Sequence, residues 1–234
     1  MRKYLELFVI FIVVVTSHHA LGQLKSEIER LENASKKQPT QFSHYQDLDA
    51  LLNAQYEKLT KDDRTRIRTI LNNTNFSTIN TYSSVERGSR IVIKGKVVDK
   101  NQSPIAGARI ITFQTDASGS YAPSDSITKR MSEPDSRLYG ALRTDQHGNF
   151  EIHTVRPGAY PMKYEGRFIP QHVHVNVSVQ GFQPVALQMV FDDDPALKDN
   201  YWREWAKGLG FPVLKLVPVN GVQTATHIII LQEK

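Results

Sequence analysis

The chain contains no cysteine. Disulfide staples, thiolate metal ligands, iron–sulfur clusters, a cysteine nucleophile and a lipid-anchored lipoprotein cysteine are therefore excluded. Low-complexity tracts are absent, and 13 glycines and 11 prolines in 234 residues are too few for a collagen-like or disordered chain. No basic run is long enough to form a nucleic-acid patch: 29 Lys and Arg against 24 Asp and Glu are scattered, so nucleic acid is not an expected partner. The net charge of +5 at most favours anionic ligands. Glycine-rich phosphate loops, serine-nucleophile elbows and dinucleotide fingerprints are missing as well. The longest apolar stretch, Leu5 to Val15, is interrupted by Glu6 and too short to span a bilayer comfortably. It follows Arg2 and Lys3 and precedes the small-residue site Ala20-Leu21-Gly22, which is the pattern of a secretory signal over residues 1–22 cleaved after Gly22. The expected location is secreted or periplasmic, without integral membrane association once the signal is removed. Lacking cysteine costs nothing there.

What is present divides into two patterns. From Gln23 to about Asn73 the apolar residues keep a helical period: Leu24, Ile28 and Leu31, then Leu48, Leu51, Leu52 and Leu59, then Ile67, Ile70 and Leu71 behind Thr60, Asp62 and Asp63. Two or three amphipathic helices of this length hold no core of their own, so they pack on the rest of the chain or on a second subunit, a possible homo-oligomer. Thr74 to Arg90, rich in Ser, Thr and Asn, reads as a linker closing the 23–90 segment. From Ile91 the period changes to two: RIVIKGKVVD, ARIITFQTD, GNFEIHTV, HVHVNVSVQG and THIIILQ are strand runs separated by Gly and Pro turns. The fold class is mainly β, an antiparallel β-sandwich over residues 91–234 preceded by a short α-helical segment. One helix is expected within it, Pro195 to Lys207, with Trp202 and Trp205 covering core.

His172-Val173-His174 is the first chemical signal. Residues i and i+2 of a strand share a face, so both imidazoles project together while Val173 and Val175 face the other way. Such a pair can ligate one metal ion or simply continue a polar row with Asn176 and Ser178. The segment Gln114 to Tyr121 and the tight turn Arg156 to Pro161 each carry a tyrosine, Tyr121 and Tyr160, which alone read as strand-end packing residues. His153, His147, His44 and His227 have no partner at ligand spacing.

Together these pieces resemble the intradiol ring-cleavage dioxygenase family of protocatechuate 3,4-dioxygenase and catechol 1,2-dioxygenase. GKVVDKNQSPIAGARIITFQTDASGSY is similar to the segment ending in that family's first iron-binding tyrosine, and LRTDQHGNFEIHTVRPGAYP to the segment ending in the second. PQHVHVNVSVQG resembles its two-histidine strand, and ALQMVFDDDP the segment after it. The resemblance covers about residues 94–195. It implies a non-haem Fe(III) held by Tyr121, Tyr160, His172 and His174, which splits the ring of a catechol-type diol with O2 to give a muconate-type diacid. Two phenolates and two neutral imidazoles suit a ferric ion. The tyrosine matching Tyr160 leaves the metal to make room and take a proton. Gln188, 14 residues after His174, matches a glutamine that orients substrate or oxygen.

The chain also departs from the family pattern Arg-Pro-Ala-His-x-His. Ile169 stands where the arginine is usual, Gln171 replaces the alanine, and Met162 replaces an aromatic residue. Arg167 is the candidate to supply the missing cation, and the apolar exchanges point to neutral catechols as substrates. Two other readings share these residues. One is a metal-free module, since GKVVDKNQSPIAGARI, TDQHGNF and PGAY also resemble transthyretin-like and carboxypeptidase-regulatory sandwiches. The other is the same four positions loaded with zinc or copper. A visible spectrum separates the three, because tyrosinate bound to iron(III) absorbs broadly in the visible.

Overall fold

The computed structural model describes residues 22–121, 136–160 and 163–234. The signal expected over residues 1–22 and the exchange at Met162 lie outside the described residues, Gly22 apart.

The helical period at the start becomes three helices: α1 (22–37), α2 (Phe42–Ala54) and α3 (Lys61–Leu71), with a 3-10 turn at Tyr56–Lys58. The start of α3 is written in its sequence. The Thr60 hydroxyl accepts from the Asp63 N–H at 3.1 Å, and the Asp63 carboxylate accepts from the Thr60 N–H at 3.1 Å. Each satisfies a donor that the helix leaves unpaired. Asn72 follows as its C-cap.

Among the described residues, twelve strands follow in chain order. β1 (Thr78–Asn80), β2 (Arg90–Asp99), β3 (Arg109–Gln114), β4 (Leu138–Arg143) and β5 (Asn149–Val155) precede the hairpin β6 (Lys163–Tyr164) and β7 (Arg167–Phe168). Then come β8 (His172–Ser178), β9 (Val185–Phe191), β10 (Val213–Leu214), β11 (Val217–Val219) and β12 (Val222–Leu231). They build two five-stranded sheets, β1-β5-β2-β12-β11 and β10-β9-β8-β3-β4, beside the two-stranded β6-β7. Between the large sheets lies the main core, with Ile91, Ile93, Val97, Phe150, Ile152, Ala225 and Ile229 from the first and Ile110, Val173, Val175, Val177, Met189 and Phe191 from the second. The mainly β, sandwich-like fold class is as expected.

Three details differ from the expectation. The sheets are mixed, because β1–β5, β9–β10 and the long β2–β12 pair run parallel. β2 and β12 lie more than a hundred residues apart, so no hairpin turn dictates their relative direction. The stretch read as a linker contributes β1, whose Ile79 is buried and whose neighbour Thr81 donates its hydroxyl to Thr154 at 2.8 Å. Three residues are too short for a period to register. The expected helix from Pro195 breaks into a 3-10 turn, Pro195–Lys198, and α4 (Asn200–Gly208), because Asp194 and Asp199 each cap a separate start.

The helices share a core with the sandwich. Ile28, Leu31, Leu48, Leu52, Leu59, Ile67 and Leu71 pack with Ile111, Phe113, Tyr139 and Ala141 on the outer face of β3 and β4. Of the two packings expected for these amphipathic helices, the one on the rest of the chain is present. A third cluster seals the far side of the same outer face: Trp202 and Ala206 of α4 with Leu197 and Val190. Strand β8 lies between the two clusters. Among the described residues, no helix is long and apolar enough to cross a membrane.

Candidate metal centre

Alternation along β8 decides where the histidines go. Val173, Val175 and Val177 are buried in the sandwich core, so His172, His174 and Asn176 face outward, between the helical layer and α4. The register then supplies each imidazole with a neighbour. His174 lies opposite Phe113 on β3 and Gln188 on β9, and His172 lies opposite Val190. The Phe113 and His174 rings stack, with centroids 4.3 Å apart and planes 4° apart. That contact fixes the imidazole plane, and no sequence signal marks Phe113 beyond its place in a strand run.

The two imidazoles present their Nε2 atoms to each other at 3.1 Å. Nδ1 of His172 lies 2.7 Å from the Pro170 carbonyl, which can only accept, so Nδ1 carries the proton and Nε2 keeps its lone pair. His172 is 7% exposed. Burial lowers its affinity for a proton, against smaller opposing effects of the Pro170 carbonyl and Asp194. Burial and then the neighbouring His172 push His174 down to about 3. Both rings are neutral at physiological pH, the state a metal ligand needs.

Tyr121 completes a triangle. Its Oη lies 3.0 Å from His174 Nε2 and 3.4 Å from His172 Nε2. The lone pair of His172 Nε2, the Nε2 of His174 and one phenol oxygen thus lie within hydrogen-bonding reach of one another. A triangle with these edges has a circumradius of about 1.8 Å, close to the roughly 2.0–2.1 Å of imidazole–metal bonds, so its size would fit a single cation. The donor set fits a first-row transition metal that accepts nitrogen and phenolate oxygen. Among the described residues no group of three or more His, Asp or Glu gathers to hold a cation, so the tyrosine is essential to the set.

Tyr160 stands beside this triangle, half-buried, with its ring centroid 5.7 Å from that of Tyr121. The two tyrosine-bearing turns are interlocked. The Gly158 N–H donates to the Asp116 carbonyl at 2.7 Å, and the Thr115 hydroxyl donates to the Gly158 carbonyl at 3.1 Å. A Cβ on Gly158 would lie 2.4 Å from the Gly119 nitrogen and 2.5 Å from the Ala117 oxygen, so only glycine allows this approach. The Pro157-Gly158 turn is legible in the sequence as a turn, but its role as the joint between both tyrosines is not.

The remaining candidates separate cleanly. Gln188 is half-buried in the cross-strand row of His174. Arg167 is not brought to the cluster: its Nε donates to Asp199 at 2.9 Å and its guanidinium lies over the Tyr201 ring at 4.6 Å. The β6–β7 hairpin presents it to α4, which corrects the expectation that it fills the place left by Ile169. Ile169 itself packs on the α4 cluster. Gln171 has partners of its own, accepting from Arg156 Nε at 2.7 Å and donating its N–H to Asp194 at 2.5 Å. His153 sits on the other sheet, 2.5 Å from Glu151.

The Dioxygenase family model matches residues 68–209. A protocatechuate 3,4-dioxygenase beta chain from Burkholderia cepacia is 30% identical over 112 residues, covering 47% of this chain and 48% of its own length. A hydroxyquinol 1,2-dioxygenase from a Rhizobium species is 25% identical over 126 residues, 49% of this chain and 41% of the relative. The chain thus matches somewhat under half the length of these curated relatives. Among solved structures, a catechol 1,2-dioxygenase from Pseudomonas arvilla C-1 shares the fold over 68% of this chain and 57% of its own, with a TM-score of 0.55 and 22% identity. A 3-chlorocatechol 1,2-dioxygenase from Rhodococcus opacus 1CP shares it over 93% of this chain and 99% of its own, with a TM-score of 0.54 and 17% identity. With the family model matching well over half of its residues, the chain belongs to the intradiol ring-cleavage dioxygenase family.

Proposed function

We propose that this chain is a non-haem iron(III) intradiol dioxygenase that opens catechol-type diols with O2 to muconate-type diacids. The observation that carries this reading is the convergence of Tyr121 Oη with His172 Nε2 and His174 Nε2 at 3.0–3.4 Å, with the Tyr160 ring alongside. Those four residues would hold the iron. A ferric ion held there would supply Lewis acidity that activates the diol ring towards O2. Both oxygen atoms of O2 enter the product, so no external reductant is required.

The chain's own residues have separable tasks. His172 and His174 stay neutral through burial; the Pro170 carbonyl leaves the lone pair of the first on Nε2, and stacking on Phe113 holds the ring plane of the second. Tyr121, 5% exposed and clamped between core and imidazoles, is the fixed phenolate. Tyr160, more exposed and at the end of its turn, is the ligand that leaves and takes the proton of a diol hydroxyl on its Oη. Gln188, level with His174, turns its amide towards substrate or oxygen. The apolar Ile169 and the outward commitment of Arg167 favour a neutral catechol, because a buried carboxylate without a partner is costly. The same reading assigns residues 1–22 to a secretory signal and the activity to a secreted or periplasmic protein.

Reconstitution with iron tests the reading. The loaded protein is expected to show a broad visible tyrosinate band and to consume O2 with catechol. A preparation that stays colourless and consumes no O2 after reconstitution overturns it.

A further inference from the structure

A half-buried ionic cluster lies behind Tyr121. Arg137 Nη2 donates to Asp116 Oδ2 at 3.0 Å and to Glu86 Oε1 at 3.0 Å, and Nη1 donates to Glu86 Oε2. The side chains of Arg137, Glu86 and Asp116 are only 12%, 7% and 17% exposed. Surface ion pairs of ordinary geometry contribute little, whereas a bidentate pair of low exposure fixes geometry.

The cluster converges on the Tyr121 turn by two routes. First, Asp116 organises the turn: its Oδ1 accepts from the Ser118 N–H at 2.9 Å, the Ser118 hydroxyl at 2.6 Å and the Ser120 N–H at 3.1 Å. Despite the opposing effect of burial, these bonds and Arg137 hold its carboxyl below the usual carboxylate range. Second, the Arg137 N–H donates to the Tyr121 carbonyl at 2.7 Å. One residue therefore grips Tyr121 by its backbone and the preceding turn by its guanidinium. The far end is anchored too. Glu86 donates its N–H to the Ser83 carbonyl at 3.0 Å, and the Glu86 carbonyl accepts from Arg90 at 2.7 Å, at the start of β2.

On this geometry we infer that Arg137 is a positioning residue for the metal ligand Tyr121, transmitting the rigidity of the 83–90 segment to the phenol oxygen. The inference rests on the proposed iron site. Arg137 touches neither metal nor substrate. It acts through Asp116 and the Tyr121 backbone, and its loss lets the turn rotate and draws Oη away from the two Nε2 atoms. Supporting groups of this kind alter metal affinity by about 10- to 100-fold.

The experiment compares wild type, Arg137→Gln, Arg137→Lys, Glu86→Gln and Tyr121→Phe as full chains, measuring iron dissociation constant, the visible tyrosinate band and metal-free thermal stability. Ile229→Val, a core change in the sandwich, serves as a control for general destabilisation. Arg137→Gln is expected to weaken iron binding about 10- to 100-fold and to shift or broaden the band. Arg137→Lys should restore part of both, and Ile229→Val should leave the band in place. If Arg137→Gln does not fold, Glu86→Gln, which loosens the same guanidinium, is expected to show the smaller shift in the same direction. A wild-type protein without the band, or a Tyr121→Phe protein that keeps it unchanged, would overturn the iron site itself. A normal wild type with wild-type affinity and band in both Arg137→Gln and Glu86→Gln overturns the positioning role alone.

Discussion

Replacing Gly158 with alanine tests the joint between the two tyrosine turns. The added Cβ would lie 2.4 Å from the Gly119 nitrogen, 2.5 Å from the Ala117 oxygen and 2.8 Å from the Ala117 carbonyl carbon. All three are backbone atoms, so no rotamer change relieves the overlap. Ordinary contact requires the turns to part by about 1 Å, which stretches the Gly158 to Asp116 and Thr115 to Gly158 hydrogen bonds. Overpacking of this kind costs about 1–3 kcal/mol. In a domain of this size that lowers Tm by about 2–12 °C. The displacement also separates Tyr121 from Tyr160, and a misplaced ligand weakens metal binding by about 10- to 100-fold. Gly208→Ala is the matched control: it lies in α4, a Cβ added there would meet nothing within 4 Å, and it should be neutral or slightly stabilising. Calorimetry of the metal-free chain and iron titration read the two effects. A Gly158→Ala protein with wild-type Tm and wild-type iron affinity would refute the interlock.

The ligands are expected to behave as a set: Tyr121→Phe or His174→Ala loses most iron and colour, His153→Ala loses neither, and full occupancy in His174→Ala contradicts the site. Stability of the metal-free chain should fall as pH drops from about 6.5 towards 3. The folded state holds His174 neutral down to about 3 while the unfolded chain takes up a proton near 6.5, so acid favours unfolding. The slope from His174 is at most about 1.4 kcal/mol per pH unit, and urea unfolding across that range should flatten in His174→Gln. Oxygen uptake should be faster with catechol than with protocatechuate and unchanged in Arg167→Ala, because Asp199 and Tyr201 already engage that side chain. A protocatechuate preference that vanishes in Arg167→Ala would show the guanidinium swinging inward.

The features legible in the sequence are those with a long period or a local chemical signature. The Thr60–Asp63 start of α3, the valine–histidine alternation of β8 and the order of the four ligand candidates can all be read residue by residue. Contacts that depend on register cannot. Nothing local links Phe113 to His174, or Arg137 to Glu86, until β3 aligns with β8 and the 83–90 segment folds back. Arg167 departs from its expected place for a related reason: a spacing of two from Ile169 suggests a shared space, but the two-residue β6 and β7 turn it towards Asp199. Three-residue β1 escapes because Thr-Ile-Asn carries too little pattern to stand out among serines and asparagines.

The two-sided character of β8 ties assembly of the chain to its chemistry. A slip of one residue against β3 would turn Val173, Val175 and Val177 outward and drive His172 and His174 into the sandwich. Each valine withdrawn forfeits about 1.5–3 kcal/mol of burial, and the imidazoles would lie among Ile93, Ile110 and Met189 without partners. A misaligned strand is therefore penalised by the core before any metal is present. Proofreading of the imidazole pair is done by hydrophobic packing, so a newly made chain aims both rings correctly with no ion to guide it.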